Sequence, residues 1–339
     1  MRPTIKDIAE AAGVTHGVVS SVLNSGNQRV RASEETAARI REVAKELGYR
    51  PSAYARSFRS SRTKAIGVLH GDGRSRLRFD DGSRYFARLM DGVIDGAFDH
   101  GYTVAFCPRL LGDDGIGALA DGRFDGYIWY STMPSEESLK SIRECPYPIV
   151  LIHSPASLID YKVPTVICDN AAGIRLGLEH LKSLGHQSIA FASNHRWLYM
   201  EAKLRQDAFL QHGAEMGLDV KLVDMEHGLD NMAETWLRGR PYTAFIAHNE
   251  AGASLIMEKF QSVGIRVPED VSAIGFDSTD FCLLQKPTLT AIAQPLTALG
   301  QTAVERLVEI LAGEPPTIET VLHCSLDIRE STAPVNAGH

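Results

Sequence analysis

Three short amphipathic patterns open the chain. Ile5, Ile8, Ala9 and Ala12 recur three and four positions apart behind Thr4, whose hydroxyl can cap a helix, and Gly13 ends the run. Thr15 starts a second pattern with Val18, Val19, Val22 and Leu23 on its inner face. Ser33, followed by Glu34 and Glu35 where acidic groups favour the helix dipole, starts a third. Its stripe is Ala37, Ile40, Val43, Ala44 and Leu47, and Gly48 closes it. From Ala65 the pattern changes to short apolar runs alternating with amphipathic stretches. The runs predict strands at 66–69, 103–106, 127–130, 149–152, 165–168, 188–191, 244–247 and 271–274. Helices are predicted between them near 84–99, 135–144, 170–184, 200–216, 250–263 and 296–312. Strict alternation means parallel, doubly wound sheets, and there are too many strands for one sheet, so an α/β core of two lobes with a ligand cleft is expected.

Charge divides the chain in the same place. Residues 1–64 hold 12 Lys and Arg against 6 Asp and Glu, a net of +6, whereas the remainder carries −13. A small basic module that meets a polyanion and a larger acidic body that does not is the reading this asymmetry favours. The turn Ala11-Ala12-Gly13-Val14-Thr15 is short and contains glycine, as a helix-turn-helix requires. The pattern alone equally fits a three-helix bundle with a solvated surface; the basic charge favours DNA. Residues 51–64 form a basic linker with about two turns of potential helix, too short to be helical unless it folds against something else.

No apolar run reaches the roughly 18 residues that would span a bilayer, and the start Met1–Lys6 has no apolar signal region, so a cytoplasmic protein is expected. Cys107, Cys145, Cys168, Cys282 and Cys324 form no C-x-x-C pair and are read as reduced thiols, not as a disulfide framework or a zinc site. The twelve histidines are scattered, and no metal and no cofactor is expected. Neither G-x-S-x-G nor a phosphate loop of P-loop type occurs, which argues against an enzyme.

The segments Thr4–Thr15 (TIKDIAEAAGVT), Val18–Asn24 (VVSSVLN), Glu46–Pro51 (ELGYRP) and Ala55–Arg59 (ARSFR) closely resemble the lactose-repressor (LacI/GalR) family. So do Cys168–Gly173, His180–His186, Ala247–Glu250, Val267–Ser272, Gly275–Asp277 and Asp327–Thr332, in the family's order. The resemblance runs from about Thr4 to Thr332. It implies an N-terminal all-α helix-turn-helix domain at 1–50, a hinge helix at 51–64 and a core at 65–330 that resembles periplasmic sugar-binding proteins. The lobes are expected at 65–163 with 294–323 and at 164–293 with 324–330, followed by a tail at 331–339. Implied partners are operator DNA, a sugar-like effector and a second copy of the chain, with hinge helices paired in the minor groove. No leucine-heptad tail follows Thr332, so a dimer is favoured over a tetramer. A transport-type sugar-binding protein would share the core, but it would need export and has no use for the basic module.

On the second helix His16, Gly17, Ser20 and Ser21 occupy the exposed beginning from which side chains reach base edges, unless they are merely solvated. Thr15 caps this helix and can touch phosphate; Arg2, Lys6, Arg29 and Arg31 are phosphate contacts that position without specifying. The resemblance extends the DNA set to Thr4, Val18, Asn24, Tyr49, Ser52, Ala55 and Arg59. Two departures from the family pattern stand out: Ser20-Ser21 lacks a base-reading arginine, and Phe58 replaces the leucine wedge. The segment His70–Ser83 is also longer and more polar than the family's loop. In the core, Arg205 resembles the family's effector-gripping arginine, while Asn249 and Asp277 follow carboxyl ends of strands and face the cleft unless they only cap helices. Gln294 and, on the facing lobe, Tyr85, Phe86, Tyr130 and His153 complete the effector set; Trp197 and Trp236 either stack on a sugar or pack.

A phenyl ring has more area than a leucine to place between bases, at an unstacking cost offset by contacts that the bend permits. Phe58→Ala is therefore expected to weaken specific operator binding more than non-specific binding and to reduce the DNA bend. Gel retardation with permuted sites measures both. No change in either means the ring packs on protein.

Overall fold

The computed structural model describes residues 3–23, 32–50, 62–70, 84–106, 117, 119–130, 136–158, 162–193, 200–225 and 228–335. They divide into two units, one ending at Lys64 and one beginning at Ala65.

Among the described residues the first unit comprises three helices, α1 (Ile5–Ala11), α2 (His16–Leu23) and α3 (Glu34–Glu46). Thr4 and Asp7 form a reciprocal capping box on α1, and Ser33 caps α3 by accepting from the Thr36 N–H. Ile8, Ala9, Ala12, Val19, Ile40 and Ala44 make its core, with Val18, Val22, Leu23 and Tyr49 packed around them. Gly13 and Gly48 sit at φ +62° and +65°, the left-handed conformation that ends a helix at little cost only for glycine.

The second unit contains two six-stranded sheets. The first has the order β11-β5-β4-β3-β1-β2, built from β1 (Ala65–His70), β2 (Thr103–Phe106), β3 (Gly126–Tyr130), β4 (Ile149–Ile152), β5 (Thr165–Cys168) and β11 (Glu319–Leu322). The second has the order β12-β10-β9-β8-β6-β7, from β6 (Ser188–Ser193), β7 (Asp219–Asp224), β8 (Ala244–Ala247), β9 (Ser272–Asp277), β10 (Thr290–Ala293) and β12 (Ser325–Asp327). All pairings are parallel except β10 with β12. Strands covered on both faces read as continuous apolar runs, which is why β4 (IVLI) and β8 (AFIA) are wholly buried.

The expected lobe boundary at 164 is corrected. β5 pairs with β4 and β11 in the first sheet, so the chain crosses after Cys168, not before Thr165. It crosses again between β10 and the helix Leu296–Ala312, and a third time between β11 and β12. Numbering helices in chain order, those that carry the argument are α4 (Tyr85–Asp99), α6 (Asn170–Ser183), α7 (Met200–Glu215), α8 (Leu229–Gly239), α9 (Glu250–Ser262) and α10 (Leu296–Ala312); α5 is Glu136–Glu144. Among the described residues no helix is long and apolar enough to cross a membrane.

α4 and α10 pack backbone to backbone on the first sheet. A Cβ added at Gly92 would meet the Thr297 carbonyl oxygen at 1.9 Å, and one at Gly300 the Leu89 carbonyl oxygen at 2.2 Å. Neither neighbour can yield without moving a helix. Gly92→Ala is expected to lower stability by about 1–3 kcal/mol or more, seen as a fall in Tm. Gly239→Ala, a helical position with open space around it, is the control that leaves Tm unchanged or slightly raised.

Candidate functional site

In the first unit the residues that open α2 are presented outward. Thr15, His16 and Gly17 are exposed, Ser20 and Ser21 half-buried. The Thr15 carbonyl accepts from the Val18 and Val19 N–H groups, which starts the helix. Val18 is half-buried against the three-helix core, as is Tyr49, so each can lend only part of its surface to a partner. Thr4 is exposed beside Lys6, its hydroxyl engaged with Asp7. Asn24, Arg31, Ser52, Ala55, Phe58 and Arg59, with Arg2 and Arg29, lie outside the described residues, as does Trp197.

In the core the carboxyl ends of both sheets converge on one buried cation. Arg205, in the second turn of α7, is 4 % exposed. Its Nε donates to Asn170 Oδ1 at 2.8 Å, and its Nη1 donates to the His248 carbonyl at 2.6 Å. Carboxylates flank it, Asp277 at 3.6 Å from Nη1 and Glu201 at 3.6 Å from Nη2, and the guanidinium lies 3.7 Å from the centre of the Phe276 ring. Gln294, on the second crossover, donates to Asp277 Oδ1 at 2.6 Å, while its own buried Oε1 has no hydrogen-bond partner among the described residues.

The other lobe answers through His153, which follows β4 and is fully buried. Tyr85 Oη and His153 Nε2 share a 2.5 Å hydrogen bond. His153 Nδ1 lies 2.8 Å from Glu201 Oε1 across the cleft, yet the two are not aligned as a hydrogen bond. Burial disfavours the imidazolium, but the Glu201 carboxylate together with the Cys168 sulfur outweighs it and lifts the pKa to about 9. Burial raises Asp277 to about 6 against the pull of Arg205, and burial with the Arg205 charge pushes His248 down to about 4. His153 and Asp277 both hold positive φ, +71° and +99°, strained for residues other than glycine. Farther out, Arg88 and Arg84 of the first lobe pair with Asp280 of the second, at 2.9 and 3.4 Å. Asp280 is positioned by Glu250, a buried carboxylate that accepts from the Thr279 N–H at 2.7 Å and from its hydroxyl at 2.5 Å. A polar cavity of about 170 Å³ lies between Arg88, Asp277, Asp280, Gln294 and Thr297.

Of the expected effector residues, Arg205, Asp277, Gln294, Tyr85 and His153 therefore belong to one network, with Tyr130 beside it, its ring tilted against that of Tyr85 at 6.3 Å. Asn249 caps α9, its Oδ1 accepting from the Gly252 N–H at 2.7 Å, so contact with a ligand falls to its Nδ2. Phe86 packs edge-on to Tyr130 within the lobe's core. Trp236 also packs: it is 2 % exposed on α8 and donates to the Tyr242 carbonyl. Sequence reasoning missed Glu201, Asn170 and Cys168. Glu201 stands one helical turn before Arg205, a spacing that could have exposed it.

Residues 4–52 match the model for bacterial regulatory proteins of the lacI family, and residues 178–332 the model for a periplasmic binding protein-like domain. The chain is 30% identical over 321 residues to the HTH-type transcriptional repressor PurR of Photobacterium profundum, covering 90% of this chain and 91% of that one. This chain belongs to the LacI family. It is thus a transcription regulator with a DNA-binding helix-turn-helix, and its relatives are regulators, not enzymes. It is also 27% identical to catabolite control protein A of Priestia megaterium, over 98% of this chain and all of that one. The fold matches the Lac repressor dimer bound to operator and the anti-inducer ONPF with a TM-score of 0.80 at 24% identity, over 98% of this chain and 100% of that one. A LacI-family regulator from Enterococcus faecium with bound ribose matches at 0.64 and 25% identity, over 80% of this chain and 100% of that one.

The raised pKa of Asp277 makes a stability prediction for this LacI-family core. The folded state holds that proton up to about pH 6, whereas the unfolded chain releases it near its ordinary value of 3.8. The group's stabilising contribution is thus present in acid and lost as pH rises through 6; the whole two-unit gap corresponds to about 3 kcal/mol as an upper figure. Asp277→Asn is expected to raise Tm at pH 7.5 without ligand and to flatten its fall between pH 4 and 6. Thermal melts across that range measure it; an unchanged profile means that Asp277 is already ionised at low pH.

Proposed function

We propose that the chain is a cytoplasmic repressor that grips operator DNA as a homodimer and is switched by a neutral, sugar-like effector held between the lobes of its core. The observation that carries the effector reading is the Arg205 network. It offers guanidinium donors, carboxylate acceptors on Asp277 and an amide on Gln294 within one cleft, with Asn249, Tyr85, Tyr130 and His153 at its edges. Forked donors beside carboxylates suit vicinal hydroxyls, and tyrosine rings suit the apolar face of a sugar. Positive and negative groups balance there, which favours an uncharged ligand over an anionic one. The Enterococcus faecium relative described with ribose supports the same class. Operator contact falls to His16, Gly17, Ser20 and Ser21, with Thr4, Thr15, Val18, Asn24, Arg31 and Tyr49 on the module and Ser52, Ala55, Phe58 and Arg59 in the hinge. A second copy is supported by Ile94 and Phe98, 47 % and 81 % exposed on α4, an apolar face that a partner would cover. The Lac repressor neighbour is described as a dimer on its operator. An effector acts by favouring one closure state of the lobes.

Isothermal titration of the full chain against sugars, nucleosides and amino acids tests the effector class. A sugar is expected to bind, and Arg205→Ala, Asn249→Ala and Asp277→Ala are each expected to weaken it by about tenfold or more, the cost of an unsatisfied buried partner. Operator retardation without effector should persist in all three. Unchanged affinity in all three overturns the site.

A further inference from the structure

Among the described residues one group of side chains has metal-ligand chemistry: His153, Cys168 and Glu201, all buried, with their ligand atoms within 4.8 Å of one another. His153 and Cys168 lie more than 30 residues before Glu201 in the chain and all three stand on different elements, so no sequence spacing announces them. Cys168 ends β5 and Glu201 lies in the first turn of α7. His153 and Cys168 come from the first lobe, Glu201 from the second.

We infer that a divalent transition-metal ion, zinc by the nature of its ligands, binds between the lobes on His153 Nδ1, Cys168 Sγ and Glu201 Oε1. Thiolate, imidazole and carboxylate together select zinc over calcium or magnesium. Two of the three atoms, Nδ1 and Oε1, are buried and face each other at 2.8 Å, with no well-aligned hydrogen bond to either among the described residues. The remaining atoms of these groups are already held as an ion would need. His153 Nε2 is bonded to Tyr85 Oη and Glu201 Oε2 faces Arg205, whereas the Cys168 thiol donates to Asn170 Oδ1 at 3.5 Å and gives up that bond on becoming a thiolate ligand. The charges also close. A dication is balanced by the Cys168 thiolate and Glu201, and Arg205 is then balanced by Asp277. On binding, the Cys168 thiol and the His153 imidazolium each release one proton to solvent, the freed electron pairs on Sγ and Nδ1 form the bonds to the metal, and no redox change occurs. Three protein ligands leave a fourth position open, and an ion held by both lobes binds only the closed core. This goes beyond the effector reading, and its readout is separate.

Full-length protein, stripped with a chelator under reducing conditions, is titrated with Co²⁺ as a spectroscopic stand-in for zinc. One equivalent is expected to give the near-ultraviolet thiolate-to-cobalt charge-transfer band, and Zn²⁺ should abolish it by displacement. Cys168→Ser should lose the band, Tyr85→Phe should weaken binding by about 10- to 100-fold, and Glu201→Gln by more. Cys145→Ser, in another hydrophobic cluster of the same lobe, should leave the band intact. Absence of the band in the unaltered protein overturns the inference whatever the variants do, and so does a band that survives Cys168→Ser. A protein that binds sugar calorimetrically yet shows no band overturns the metal site alone; the converse overturns only the effector class.

Discussion

A guanidinium taken out of water must be surrounded by acceptors, and the core is arranged around that requirement at Arg205. Its position on α7 obliges the second lobe to bring Asn170, the His248 carbonyl and Asp277 to the same point, from the starts or ends of three different elements. An unpaired buried cation would cost several kcal/mol, so these elements are not free to drift apart. Parallel strands make the convergence possible, because every carboxyl end opens on the same side of the sheet.

A further neighbour of Arg205 looks across the cleft. Glu201 divides its two oxygens between Arg205 in its own lobe and His153 in the other, and so converts a local charge balance into a contact between lobes. Any ligand that enters must replace some of these internal partners, and its influence on closure equals the difference between what it gains in the two states. Two of the residues held at positive φ, His153 and Asp277, stand one on each lobe, so strain is stored on both sides of this contact.

Much of this was legible in the chain. Buried strands announce themselves as unbroken apolar runs, and the three helices of the first unit as capped stripes ended by glycine. What escaped was what packing alone defines. β7, with the pattern DVKLVD at a sheet edge, has no wholly buried residue, β11 and β12 are short strands with none either, and β10, though largely buried, is only the four-residue run TAIA. The lobe boundary failed for the same reason, since β5 is recognisable as a strand but its partners β4 and β11 are not recoverable from its residues. In the site, Arg205 and Asp277 were found through the family pattern and their places after strands. Glu201, Asn170 and Cys168 were not, because each has an ordinary structural reading until Arg205 and His153 are seen beside it.

The three crossings between lobes bear on how the chain comes into being. The first sheet is complete only when Glu319–Leu322 has paired with β5, and α10 must lie on α4 across more than 190 residues of intervening chain. On the ribosome, the β5 edge of that sheet and the apolar face of α4 that awaits α10 therefore stay open until the chain has emerged as far as Leu322, whereas the three-helix unit can close at once. The DNA-reading module is thus ready long before the part that governs it, and an interrupted synthesis would release the one without the other.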